Sequence, residues 1–150
     1  MNLPEFHTQH ILLGYSSEDD HLLFRNAVND LPYLVHLSVA AGSQDVMTML
    51  ESISPLPALI ILDLELSDRN GVECLKEIKG REKFAALPVI VYAKTAYPAI
   101  INELYESGAH LYIRKNEDVA GFKKLIHELL SFNWNDKIIR PPLDEFVLTT

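Results

Sequence analysis

At 150 residues the chain is long enough for one domain with its own core and too short for two comfortable ones. A hydrophobic share of 48% and a charged share of 23% exclude a disordered chain. The net charge of −8, with adjacent basic pairs only at Arg114-Lys115 and Lys123-Lys124, argues against nucleic acids and acidic membrane surfaces as partners. A lone Cys74 excludes an internal disulfide and a cysteine-rich metal site. The first residues lack a basic region followed by an apolar run, and no apolar stretch is long enough to span a bilayer. The expectation is one cytoplasmic domain.

Short apolar runs then alternate with amphipathic stretches along the chain. Ile11-Leu12-Leu13-Gly14 reads as a buried strand, and Phe24, Ala27, Val28 and Leu31 recur at helical spacing up to Pro32. Tyr33 to Ala40 alternates like a strand, and Val46, Leu50 and Ile53 mark a helix that the Ser54-Pro55-Leu56-Pro57 segment stops. Ala58-Leu59-Ile60-Ile61-Leu62 is apolar throughout, as a strand covered on both faces must be. A helix follows from about Val72 through Leu75 and Ile78. Pro88 to Tyr92 is the next strand, Ile101, Leu104 and Tyr105 belong to the next helix, and Leu111-Tyr112-Ile113 is the fifth strand. Phe122, Leu125, Ile126, Leu129 and Leu130 complete the pattern as an apolar helical stripe.

Strands alternating with helices specify an α/β fold with a parallel sheet, because parallel neighbours need crossover connections. Right-handed crossovers with one reversal favour the flavodoxin-like (βα)5 arrangement, strand order 2-1-3-4-5. Residues 1–9 are expected as an N-terminal arm, 10–134 as the domain, and 135–150 as an extended tail, since Pro141-Pro142 interrupts a stretch with no helical period. Chemistry in this topology gathers beyond the carboxyl ends of the strands. That directs attention to Gly14–Asp20, Asp63–Gly71, Ala93–Tyr97 and Arg114–Asn116.

Asp63 emerges directly after an apolar strand and opens Asp63-Leu64-Glu65-Leu66-Ser67-Asp68-Arg69-Asn70-Gly71. Ala93 ends the fourth strand, Ser107-Gly108-Ala109 precedes the fifth, Tyr112 lies within it and Lys115 follows it. In this register the chain resembles the receiver domains of two-component response regulators, from about His10 to Trp134. The resemblance implies a non-enzymatic signalling domain in a phosphorelay, with Asp63 at the phosphoacceptor position and Lys115 as its charge and phosphate partner. It also implies a Mg²⁺ site formed by an acidic pair after strand 1, by Asp63 and by the Glu65 backbone carbonyl. Here the acidic-pair positions hold Tyr15 and Ser16, so two carboxylates have become a phenol and a hydroxyl. Mg²⁺ is therefore expected only if Asp63 is phosphorylatable, and no cofactor otherwise.

The switch positions depart as well. The hydroxyl residue that ends strand 4 in the family is Ala93, while Tyr112 keeps the aromatic switch position. Asn116 replaces the proline after the lysine. A non-proline cis bond costs about 3 kcal/mol, so a trans Lys115-Asn116 bond is expected. With the acids gone, Lys115 is expected to pair with Asp63 as its ground state, and Tyr15 to plug the vacated metal position.

Glu18-Asp19-Asp20 reads as the acidic first turn of a helix capped by Ser17. Cys74 reads as inert core filler, His110 and His127 as surface or boundary residues, and Phe132 and Trp134 as a cover on the core. Three functions follow. The first is a degenerate receiver, or pseudo-receiver, that works by protein–protein interaction with a histidine kinase or another signalling protein. Its docking face is expected at Ala99–Trp134, where a homodimer could also form. The second is a working phosphoswitch that accepts phosphoryl from a histidine kinase on Asp63. The third is a flavin- or nucleotide-binding protein using Gly14-Tyr15-Ser16-Ser17, which the three following acids oppose.

Overall fold

A computed structural model describes residues 9–95, 97–115, 118–136 and 139–149. Their elements are β1 (Gln9–Tyr15), α1 (Glu18–Asn29), β2 (Val35–Ala41), α2 (Ser43–Ser52), β3 (Leu59–Asp63) and α3 (Gly71–Gly80). They continue through β4 (Val89–Ala93), α4 (Pro98–Glu106), β5 (Leu111–Arg114) and α5 (Val119–Leu130) to a 3-10 turn (Leu143–Glu145) and β6 (Val147–Thr149). All neighbours in the sheet run parallel, in the order β2-β1-β3-β4-β5-β6. Of the arm expected over 1–9, only Gln9 lies among the described residues, where it opens β1; Asn116 lies outside them.

The unbroken apolar runs follow from cover on both faces of the sheet. Ile11, Leu13, Ile61, Ile90 and Ile113 point to the side closed by Phe24 of α1 and by Phe122 and Ile126 of α5. Leu12, Ile60, Leu62, Val89 and Val91 point to the side closed by Val46 and Leu50 of α2, Leu75 and Ile78 of α3, and Leu104 of α4. Successive residues of one strand thus feed two separate cores, as the two-residue period of a strand requires. Trp134 is buried in the first of these cores, whereas Phe132 beside it is exposed.

Helix ends place the loops that carry chemistry. Ser17 caps α1 by accepting from the Asp20 amide at 3.3 Å. Asn70 caps α3 by accepting from the Glu73 amide at 3.0 Å. Gly71 passes so close to the end of β3 that an added Cβ would lie 2.6 Å from the Asp63 carbonyl oxygen, which explains the Asn-Gly step. The α2 terminus begins at Gly42, which has no side chain, and is capped from across the loop by Asp68. The Asp68 carboxylate accepts from the amides of Ser43 and Gln44 at 2.8 and 2.9 Å and from the Ser43 hydroxyl.

Burial pushes the Asp68 carboxyl up, but these donors outweigh it and hold its pKa down to about 2. A depressed folded-state pKa gives stability that is present above the ordinary carboxylate range and lost as pH falls through it toward 2. Asp68→Ala is therefore expected to cost about 1 kcal/mol at neutral pH, as loss of a cap does. Urea titrations from pH 7 downward should show its gap to wild type closing in acid.

The tail differs from the extended arm expected over 135–150. Phe146 is fully buried in the core beneath α4, its carbonyl accepts from the Tyr112 amide at 3.0 Å, and Val147–Thr149 extend the sheet beyond β5. Arg140 donates to the carbonyls of Tyr105 and Ala109 at 2.5 and 3.3 Å, which caps the end of α4, and its guanidinium lies 3.8 Å from the Tyr105 ring centroid. The five-stranded order expected from the sequence thus gains a sixth strand. It uses the same parallel geometry, with α5 as the crossover.

Candidate functional site

Asp63 ends β3 as a buried carboxylate, 6% exposed, at the carboxyl edge of the sheet. Its Oδ2 accepts from the Ser16 hydroxyl at 2.7 Å and its Oδ1 from the Glu65 amide at 2.9 Å. The loop after it is closed by an antiparallel bridge between Glu65 and Asn70. Around this carboxylate is a pocket of about 280 Å³, lined in part by Ser16, Asp19, Asp20, Tyr92, Lys94 and Lys115. Ala93 forms its wall without a donor and accepts the Lys115 amide at its own carbonyl, at 2.8 Å.

Two side chains depart from their expected places. Lys115 reaches the pocket, but its ammonium pairs with Asp20 rather than with Asp63, both partners being about 15% exposed. Asp63 already has a donor on each oxygen, while Asp20 projects from the first turn of α1 into the same pocket, within reach of the ammonium. The lysine therefore gains more by turning to Asp20. Tyr15 does not plug the site: its hydroxyl donates to Glu18 at 3.1 Å and its ring lies 4.8 Å from that of His21, outside the pocket. Ser16 occupies the space beside Asp63 instead.

Burial is the main cause that raises the Asp63 pKa; the Ser16 and Glu65 donors pull it down, and the charges of Asp20 and Glu65 add to the rise. Because the folded-state value lies above the unfolded one, folding favours the protonated acid. Its contribution is fully present below the ordinary carboxylate range and is lost as pH rises through the raised value. Asp63→Asn, a neutral isostere, is therefore expected to melt above wild type at pH 7. The difference should vanish below about pH 4 in a melting series, where both side chains are neutral.

The donor set does not fit a hexacoordinate hard cation. Asp63 is the one carboxylate at the expected metal position, its oxygens are engaged, and Ser16 brings no charge. Glu65 turns its amide to Asp63. Among the described residues no group of three His, Cys, Asp or Glu side chains is placed to hold a metal ion.

Tyr112 is fully buried on β5, and its hydroxyl donates to the Thr95 carbonyl in the loop after β4. That bond ties the fifth strand to the loop leading into α4, with the small Ala93 leaving room for the ring in the same core. Tyr92, paired in register with Asp63, was not singled out by sequence. Among the described residues its buried hydroxyl has no partner in bonding geometry, although burial and the nearby Asp63 and Asp20 carboxylates strongly raise its pKa. Cys74 is fully buried, and burial pushes its thiol up to about 12, so it is inert filler as expected.

The response regulator receiver domain model matches residues 18–127. Response regulator Rcp1 of Synechocystis sp. is 31% identical over 88 residues, which is 59% of this chain and 59% of that protein. Two-component response regulator ORR4 of Oryza sativa subsp. indica is 35% identical over 72 residues, 48% of this chain and 31% of its own length. The chain thus spans under two thirds of the length of either relative. Among solved structures, the phosphorylated cyanobacterial phytochrome response regulator RcpA superposes with a TM-score of 0.80 at 22% identity, covering 91% of this chain and all of that one. The Mn(2+)-bound form of response regulator Rcp1 gives 0.77 at 26% identity, covering 89% and 99%. A match of this extent to the family model, on a flavodoxin-like fold with Asp63 and Lys115 in one pocket, settles the assignment: the chain belongs to the response regulator receiver domain family.

Proposed function

We propose that this receiver domain acts in phosphorelay signalling by protein–protein interaction, with Asp63 as the relic of the phosphoacceptor position. The Ser16–Asp63 hydrogen bond carries this reading: where a metal-dependent site needs acids, a neutral hydroxyl closes on the carboxylate. Tyr112 supports it, since its ring is buried and its hydroxyl bonded to the loop before α4, while Ala93 offers no hydroxyl to couple it to Asp63. Partners are a histidine kinase or another signalling protein, docking on the face that includes α4, β5 and α5. Residues 139–149 cover part of that face and supply part of its surface. The domain is cytoplasmic and has no enzymatic activity of its own. Among the described residues no helix is long and apolar enough to cross a membrane.

A second reading, a working phosphoswitch on Asp63, is favoured by Lys115 sharing the Asp63 pocket. The two readings separate in an amide NMR experiment. Adding acetyl phosphate and Mg²⁺ is expected to leave the signals of α4 and β5 unmoved in wild type and in Asp63→Asn. Shifts confined to wild type would move the conclusion to the phosphoswitch.

A further inference from the structure

At the opposite end of the sheet from Asp63 lies a second cavity, of about 630 Å³, which is large enough for a small organic ligand. It opens at the amino ends of β3, β4 and β5. Leu56, Pro57, Leu87 and the ring of Trp134 make an apolar wall. His110 and Lys79 stand in that wall as its fixed polar groups.

His110, expected as a surface or boundary residue, is 8% exposed, with its ring edge-on to Trp134 at 5.4 Å between centroids. Its ring makes no hydrogen bond among the described residues and lines the cavity. Burial, Lys79 and Arg140 together lower its pKa, which keeps the ring neutral, with one N–H to donate.

Lys79 is held in place. Its stem lies 3.5 Å from where a Cβ of Gly108 would be, at a backbone with φ of +99° that favours glycine. Its ammonium donates to the carbonyls of Ala85 and Leu87 at 3.1 and 2.6 Å. Two of its three N–H groups are thereby used, and the third is left for a ligand.

We propose that this cavity binds a small monocarboxylate with an apolar body, its carboxylate accepting from Lys79 and His110 and its body against Trp134, Leu56 and Leu87. Among the described residues Lys79 is the one cation in the cavity's lining, and beside a neutral donor it matches a single negative charge, while the exposed Asp136 at the rim disfavours a dianion. This assignment is independent of the Asp63 site.

Trp134 is the chain's single tryptophan, so its emission reports on the cavity directly. The experiment titrates the full chain with cyclohexanecarboxylate and, in parallel, with the isosteric cyclohexanecarboxamide. The expected result is a saturable emission change with the acid, and at least about tenfold weaker binding of the amide, the factor that one charge-assisted hydrogen bond confers. Lys79→Met keeps the stem over Gly108 and should weaken the acid by a similar factor, with the amide unchanged. Asp63→Asn should titrate as wild type. No saturable change with the acid, or equal binding of acid and amide by wild type, would overturn the proposal whether or not Lys79→Met folds.

Discussion

Replacing Phe146 by alanine is expected to destabilise the domain by about 3–5 kcal/mol, the cost of truncating a fully buried phenylalanine. The ring has no exposure and meets Tyr105 edge-on at 5.1 Å between centroids. The residue also carries the carbonyl that accepts from Tyr112, so its loss frees the start of β6. Val147, next in the chain and 36% exposed, should tolerate alanine within about 0.5 kcal/mol. Denaturant titration of the two variants distinguishes a core element from a loose tail. A Phe146→Ala variant as stable as wild type would show that residues 139–149 are not part of the folded unit. β6 occupies the outer edge of β5, on the face proposed above for partner docking.

The second large effect is expected from restoring the acids, Tyr15→Asp with Ser16→Asp. The double variant removes the Ser16 donor from Asp63, a hydrogen bond to a charged group worth about 1.5–3 kcal/mol. It also sets a carboxylate at position 16 beside Asp63, whose charge and that of Asp20 already oppose one another, and a second at the end of β1 next to Glu18. Without metal the melting temperature should fall by about 5–10 °C, given the 2–4 °C per kcal/mol usual for a chain of this size. Millimolar Mg²⁺ should recover much of that loss in the variant and leave wild type unmoved, because a ligand stabilises only the state that binds it. Unchanged melting together with no response to Mg²⁺ would show that Tyr15 and Ser16 are not what removes the metal site.

Much of this architecture could be read from the chain, because its signals are local. The runs at Leu59–Leu62 and Val89–Tyr92 are uninterrupted because each strand is covered on both faces, and that pattern is visible without coordinates. Asp63 could be placed for the same reason: a carboxylate directly after such a run must emerge at the sheet edge. Ser17 as the cap of α1 also follows from nearest neighbours.

What escaped depends on competition between distant groups. Lys115 has two carboxylates within reach, and only the packed arrangement shows that Asp63 takes its donors from Ser16 and Glu65 while the ammonium goes to Asp20. Tyr15 could turn toward the pocket or toward α1, and the outcome rests on Glu18 and His21 across one turn. Asp68 caps α2 from a loop 25 residues away, which no local pattern announces. β6 has three residues, too few for a period, although the aromatic and β-branched run Phe146-Val147-Leu148-Thr149 after Pro141-Pro142 was its available signal. The histidines show no spacing that fixes their depth, and it is the position of His110 just before β5, against Trp134, that buries it.

Ser16 and the lost acidic pair are proposed to take Asp63 out of metal-dependent phosphoryl chemistry. The most direct test of this proposal is the intact mass of the protein after incubation with acetyl phosphate and Mg²⁺, with Asp63→Asn as the control. The unmodified mass is expected for both proteins. A phosphoryl adduct on wild type that is missing from Asp63→Asn would contradict the proposal and make the domain a working phosphoswitch.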